Sequence, residues 1–363
     1  MAQHVVTPGS KELEALTLCG SVRALDPDAY TRAWERLDSL TKPPRSLGRL
    51  EEIAARVSSV QDDVRPSGTP SAIVLLAADH GVTAEGVSAW PSEVTWQMVA
   101  NFAAGGAAIN QLADHVGARL VVADIGVAGD TDSLPGVIQA KVRRGTGNIA
   151  RGPAMSREEA AEAFLVGAGI AGELAASGVK IIGTGEMGIG NTTAAAALVC
   201  ALTGAEPSRV AGPGTGLDGE GVRHKVAVVE RALEANEVRA ADPFGTLAAL
   251  GGLEIAGMAG VVAGAASAGA CAVADGFISS AAALAAIRIC PLAAAYVFQS
   301  HLSVEPGHRV ALQALDLAPV LELDMRLGEG TGGALAIGIM GAACAVMSGM
   351  ATFAEAGISD GAG

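Results

Sequence analysis

The sequence predicts an α/β protein with a doubly wound parallel sheet of about six strands. Three observations predict it. Short β-rich runs alternate with long Ala-rich segments. Most of the runs are continuously apolar rather than alternating, as in parallel strands covered on both faces. The loops that follow them gather Gly with Asp, Glu, His, Asn and Thr, the residues expected beyond the carboxyl ends of such strands. The expected strands are 72–78, 119–125, 179–183, 209–211, 270–274 and 294–299, and helices are expected over 94–115, 156–177, 192–203 and 219–235. Residues 25–60 carry a helical period, interrupted over 41–48, where Pro43 and Pro44 forbid helix. A polar stretch with Pro and Gly over 62–70 then marks a domain boundary. No repeat at a fixed period is visible.

Composition narrows the function classes. Half of the 363 residues are hydrophobic but only 3% are aromatic, so Ala, Val, Leu and Ile must build the core. Such a chain buries ample apolar surface and is not disordered. With 24 basic and 38 acidic residues, the net charge of −14 argues against nucleic acid or anionic lipid as a partner. A small anion held by a few aimed backbone amides stays open. The five cysteines are widely spaced and never form CxxC, which points to reduced thiols and a cytoplasmic location. No HxxxH or Cys/His cluster offers a structural zinc site, and no metal is expected. Residues 1–20 lack the basic start and apolar run of a signal peptide. Two uncharged runs, 255–274 and 330–354, reach membrane-span length, but 13 residues of each are Ala or Gly. Buried helices of the α/β core are expected there instead.

The glycine loops carry the chemistry. Gly183, Gly185 and Gly188 form a literal GxGxxG. A dinucleotide fingerprint also needs an acidic residue about 20 positions on, at the end of a strand. Glu206 instead precedes its expected strand. A P-loop would need Lys where Asn191 stands. What remains is glycine-permitted backbone approach followed by Asn191, Thr192 and Thr193 at a helix start, which suits a phosphate or simply caps the helix. Glu329, between Gly328 and Gly330, opens the late apolar helix. It is either a first-turn carboxylate favoured by the helix dipole or, with its pKa raised by apolar surroundings, a general base near neutral pH. Glu186 is a second carboxylate of the same kind.

These segments together resemble the nicotinate-nucleotide–dimethylbenzimidazole phosphoribosyltransferase family of cobalamin lower-ligand biosynthesis. The resemblance runs in order through Lys42-Pro-Pro-Arg-Ser-Leu-Gly-Arg-Leu-Glu51, Ala78-Asp-His-Gly-Val82, Glu85-Gly-Val87, Gly145-Thr-Gly-Asn-Ile-Ala150 and Gly152-Pro-Ala-Met-Ser156. It continues through Gly185-Glu-Met-Gly-Ile-Gly-Asn-Thr-Thr193, Gly251-Gly-Leu-Glu-Ile-Ala-Gly257, Asp275-Gly-Phe277, Ser300-His301 and Arg326-Leu-Gly-Glu-Gly-Thr-Gly332.

The resemblance implies transfer of the 5-phosphoribosyl group from nicotinate mononucleotide to 5,6-dimethylbenzimidazole, without a cofactor, by a homodimer. It implies a large Rossmann-like catalytic domain over 66–330 and a small helical domain made from 1–65 and 331–363. It implies that Glu329 is the catalytic base and that Glu186 lines the ribose and base region. The 5′-phosphate would be held by Gly185, Gly188, Asn191 and Thr192 with help from Ser303, and by Lys225 unless that side chain is merely solvated. The benzimidazole pocket would comprise Asp79, Trp90, Met98 and Leu327. Some relatives carry Ser and Gln where Trp90 and Met98 align, so the acceptor wall is larger and more apolar here, and Trp90 either stacks on a flat base or belongs to the core. Adenine, other benzimidazoles or phenols are the alternative acceptors.

Three rivals frame this reading. One is a nicotinamide-dinucleotide dehydrogenase built on the GxGxxG. Another is a nucleotide-binding regulator without catalysis, which would have no need of a base at Glu329. The third is a phosphoribosyl diphosphate transferase, which would want Mg²⁺ and an acidic pair at a strand end; no such pair follows any expected strand.

Overall fold

The computed structural model describes residues 8–238 and 240–359. Its seven strands are β1 (Ser71–Ala78), β2 (Ala118–Gly126), β3 (Val137–Gln139), β4 (Ile181–Met187), β5 (Cys271–Ala274), β6 (Val297–His301) and β7 (Pro319–Leu321). They form one sheet in the order β3-β2-β1-β4-β5-β6-β7, every pair parallel. The order reverses between β1 and β4, which places the crevice of a doubly wound sheet beyond the carboxyl ends of those strands. β1, Ser-Ala-Ile-Val-Leu-Leu-Ala-Ala, is buried along its whole length, as a central strand covered by helices on both faces must be.

The small-residue composition has a packing reason. The Arg157–Ala176 and Leu253–Ser267 helices cross so closely that Gly167 lies on the carbonyl of Gly257, Gly260 on that of Phe164 and Gly264 on the backbone of Ala168. A side chain at any of the three would drive the helices apart. The uncharged run 255–274 is therefore a core helix buried up to Ala266, followed after an exposed turn at Ala268 and Gly269 by β5. The second run supplies the Thr331–Gly349 helix, long and apolar enough to cross a membrane by composition, with about half its residues buried in the protein's own core.

Five of the six expected strands are present, with shifted ends. The sixth, 209–211, is a correction: it belongs to a short helix, Pro207–Val210, which Pro207 starts with its fixed φ. Three apolar residues cannot distinguish the two periods. Two three-residue edge strands, β3 and β7, have no comparable apolar run in the sequence. The expected helix over 94–115 is two helices, Glu93–Ala103 and Ala108–Val116, separated at Gly105, whose φ of +78° ends the first. Ser10–Ser21 is also a helix, tied to the Arg157–Ala176 helix by an ion pair between Glu12 and Arg157. The first seven positions of the stretch read for a leader lie outside the described residues.

Both ends of the chain meet. Leu40 forms an antiparallel bridge with Thr352, Arg36 donates to the carbonyls of Met347 (3.3 Å) and Met350 (3.1 Å), and Ser348 Oγ donates to that of Pro66 (2.7 Å). The Thr331–Gly349 helix nevertheless also packs on β4 and β6, so it carries the chain from the sheet to the N-terminal helices.

Candidate active site

A cavity of about 670 Å³ opens at the carboxyl ends of β4, β5 and β6. The strand β4 runs further than its apolar run suggested, through Glu186 and Met187. Gly183 and Gly185 therefore lie inside the sheet, where a Cβ would strike Ile73 or the carbonyl of Glu329, and only Gly188 of the GxGxxG reaches the cavity. The dinucleotide-type turn is absent for that reason.

Glu329 is presented to the cavity by an unusual backbone. Gly328, Glu329 and Gly330 have φ of +82°, +63° and +87° in succession. An L residue pays about 1–2 kcal/mol to adopt this conformation, and the flanking glycines do so freely. Several contacts over-determine the run. Thr331 Oγ1 donates to the Gly328 carbonyl (2.8 Å), and the Asp275 carboxylate accepts the N–H groups of Gly330 (3.3 Å) and Gly333 (2.8 Å). Gly185 lets β4 press against the Glu329 carbonyl from below. The Glu329 side chain is 6% exposed, and its Oε2 has no hydrogen-bond partner. Burial pushes its pKa above the usual carboxylate range, offset in part by the backbone N–H of Ile109.

Two more carboxyl groups face the same space. Burial pushes Glu186 up to about 8, with the charges of Glu254, Asp275 and Glu329 adding to the rise and the Asn191 amide opposing it. Burial also pushes Asp275 up to about 7, against its hydrogen bonds from the Thr331–Gly349 helix start. A ring of partly protonated acids suits a ligand that carries or develops positive charge.

At the other end, Asn191 and Thr192 open the Asn191–Thr203 helix and, with Gly188 in the turn before it, line both the cavity and a small adjoining recess into which Lys225 reaches. Lys225 Nζ donates to Thr192 Oγ1 (3.2 Å). Burial lowers its pKa to about 8, opposed by the Glu305 carboxylate. Glu305 Oε1 accepts the Gly214 N–H (2.9 Å) and Arg326 donates to the Gly214 carbonyl (3.2 Å), so the loop over this end is gripped from two sides. Ser303 also lines the cavity, its N–H donating to His308 Nδ1 (2.8 Å). His308 is held neutral, with burial the leading cause of a pKa near 3, so its proton sits on Nε2 and points to Ser280 Oγ (2.9 Å).

The apolar mouth is formed by Val94, Met98, Leu327 and Trp90. Trp90 and Leu327 are 53% and 55% exposed, so Trp90 is a rim residue rather than core. Val94 and Met98 are one helical turn apart on the inward face, and Gln97 points outward. Three of the expected site residues are not on the cavity wall. Asp79 is buried and accepts the Ala128 N–H (2.7 Å), Gly185 supports the Glu329 backbone from β4, and Lys225 occupies the side recess. Conversely, Asp275, Glu305, Arg326, His301 and Phe277 line the cavity without having been expected there. Asp275 had a legible signal, since it directly follows the apolar run 270–274. Arg326 opens the segment that contains Glu329, and Glu305 had no signal beyond lying in a polar loop. Among the described residues, no group of three or more His, Cys, Asp or Glu side chains could hold a metal ion.

The sequence pattern of a phosphoribosyltransferase family matches residues 22–358. A protein of Nitratidesulfovibrio vulgaris (strain Hildenborough) named nicotinate-nucleotide–dimethylbenzimidazole phosphoribosyltransferase is 52% identical over 351 residues, 96% of this chain and 98% of its own. One of the same name from Chloroflexus aggregans is 52% identical over 336 residues, 93% of this chain and 95% of its own. The crystal structure of CobT from Thermus thermophilus superposes with a TM-score of 0.89 at 48% identity, covering 92% of this chain and all of that one.

Proposed function

The chain belongs to the nicotinate-nucleotide–dimethylbenzimidazole phosphoribosyltransferase family, and from that premise we propose how its cavity carries out the family's reaction. The chain is a phosphoribosyltransferase: it transfers the 5-phosphoribosyl group of nicotinate mononucleotide to 5,6-dimethylbenzimidazole. One benzimidazole nitrogen attacks C1′ while the C1′–nitrogen bond to nicotinate breaks, and the pyridine nitrogen keeps the electron pair. The leaving group is already a pyridinium, so its departure requires no proton. The other benzimidazole nitrogen must lose one, and the Glu329 carboxylate accepts it. The products are α-ribazole 5′-phosphate and nicotinate.

The observation that carries this reading is Glu329 itself, a residue on the cavity wall at the centre of three successive left-handed residues, with one buried carboxylate oxygen unpartnered. A structural first-turn carboxylate would not need that backbone. Asp275, about half ionised near neutral pH, supplies negative potential where the ribosyl carbon develops positive charge, and the mainly protonated Glu186 lines the same space. Gly188, Asn191, Thr192, Ser303 and Lys225 hold the 5′-phosphate, and Trp90, Met98 and Leu327 flank the acceptor. Positioning the two substrates in line supplies much of the remaining acceleration.

The division into a sheet domain over 66–330 and a small domain from 1–65 and 331–363 is part of the same proposal, supported by the bonds joining Arg36 and Leu40 to the C-terminal segment. A homodimer rests on the family resemblance. A cytoplasmic location is supported by five free thiols among the described residues. The test is nicotinate release from nicotinate mononucleotide and dimethylbenzimidazole with EDTA present. Equal amounts of nicotinate and ribazole phosphate bear the reading out, and no product despite nucleotide binding refutes it.

A further inference from the structure

We propose that the buried pair His80–Glu254 positions the Gly188–Asn191 turn and, through it, the nucleotide's phosphate. The inference rests on the reading of that turn as the phosphate seat. His80 stands two residues after the end of β1, and Glu254 stands in the first turn of the Leu253–Ser267 helix, 174 positions later. His80 Nε2 and Glu254 Oε1 are 2.7 Å apart and both side chains are fully enclosed. Each also keeps a polar atom that nothing satisfies, His80 Nδ1 and Glu254 Oε2. Groups left so are a desolvation cost, and an apolar pair of the same shape would avoid it. Stability alone therefore gives no reason for this pair.

Its neighbours do. The turn lies directly upon it: a Cβ at Gly188 would sit 2.5 Å from the Ala78 carbonyl and 3.3 Å from both Glu254 Oε1 and His80 Cδ2. A Cβ at Gly190 would sit 3.4 Å from His80 Cβ, and one at Gly252 would meet His80 Nε2 at 2.9 Å and Glu254 Oε2 at 2.6 Å. Three glycines on two backbone segments, the Gly188–Asn191 turn and the Gly252 approach, thus let the chain close on one hydrogen-bonded pair, at the point where the strand order reverses. Neither His80 nor Glu254 lines the cavity, so the pair acts through the turn and not on substrate. The Glu254 charge also adds to the upward shift of Glu186.

The test is steady-state kinetics with each substrate varied. Glu254→Ala is expected to raise KM for nicotinate mononucleotide tenfold or more, leaving kcat and the dimethylbenzimidazole KM within threefold. Glu254→Gln, which keeps an acceptor for His80, is expected to restore the nucleotide KM to within threefold of the parent. His80→Phe keeps the ring shape without the bond and is expected to behave like Glu254→Ala, so it serves if that variant does not fold. An unchanged nucleotide KM, or equal rises for both substrates with a fall in kcat, overturns the proposal. So does failure of both disruptive variants to fold, which would make the pair structural. Asn191→Ala separates the two layers of inference. If it leaves the nucleotide KM unchanged, the seat is misplaced. If it raises that KM while Glu254→Ala does not, only the role of the pair falls.

Discussion

Replacing Glu329 by Gln removes a proton acceptor and almost nothing else. The amide has the size of the carboxylate, Oε2 has no hydrogen-bond partner to lose, and the backbone run from Gly328 to Gly330 does not depend on the side-chain charge. A positioned general base contributes roughly 10²–10⁴-fold, or about 2.7–5.5 kcal/mol of barrier. Turnover of Glu329→Gln is therefore expected to fall by roughly that factor at saturating substrates. Nucleotide affinity should stay within about threefold, since the proposed phosphate seat lies at the other end of the cavity. Stability should not fall, because the parent carboxylate is itself penalised by burial. The assay is nicotinate release followed by chromatography, with nucleotide binding measured by calorimetry and unfolding by melting. Turnover within threefold of the parent would refute the base assignment, whatever else the variant did. A large loss of nucleotide affinity would instead mean that Glu329 belongs to the donor side.

Glu186 gives a stability prediction with a definite sign. Its carboxyl is raised from 4.5 to about 8, so the fold favours the neutral form; its stabilising contribution is full below about pH 4.5 and is lost as pH rises toward 8. Glu186→Gln should therefore raise the unfolding free energy more at pH 8.5 than at pH 4.5, a difference on the order of a few kcal/mol read by denaturant titration, and an equal change at both pH values would refute the raised pKa. Gly185→Ala should cost about 1–3 kcal/mol of stability and lower kcat, because its Cβ would meet the Glu329 carbonyl at 2.6 Å and push the base out of line; an active, fully stable variant would contradict that support. Lys225→Met should raise the nucleotide KM roughly 10–100-fold through loss of a charge-assisted contact worth about 1.5–3 kcal/mol. The parent's own nucleotide KM should rise as pH passes about 8, where Lys225 loses its proton, and the Met variant should lack that rise.

The legible parts of this protein were those that chain-local chemistry dictates. The apolar runs that became β1, β2, β4, β5 and β6 read as buried parallel strands because a strand covered on both faces has no polar positions to show. The small-residue runs read as core helices because Ala and Gly offer little to lipid. Glu329 was conspicuous because a carboxylate between two glycines has few structural uses. The errors fall where a residue's neighbours come from elsewhere in the chain. The run 209–211 was too short for its period to be decided. β3 and β7 are strands only because the sheet edge supplies a partner. Gly185 looked like part of a phosphate loop until β4 proved long enough to enclose it.

The amino-acid sequence by itself determined the layer architecture and the position of the glycine-rich loops, and it singled out Glu329 as a carboxylate between two glycines, since periodicity, glycine placement and residue type are properties of the chain. Tertiary structure alone decided what surrounds each charge. Asp275 meets the Thr331–Gly349 helix, Glu305 meets Lys225 and Gly214, and His80 meets Glu254 only through folding. Desolvation and Coulomb energy depend on distances through space, which no spacing along the chain encodes.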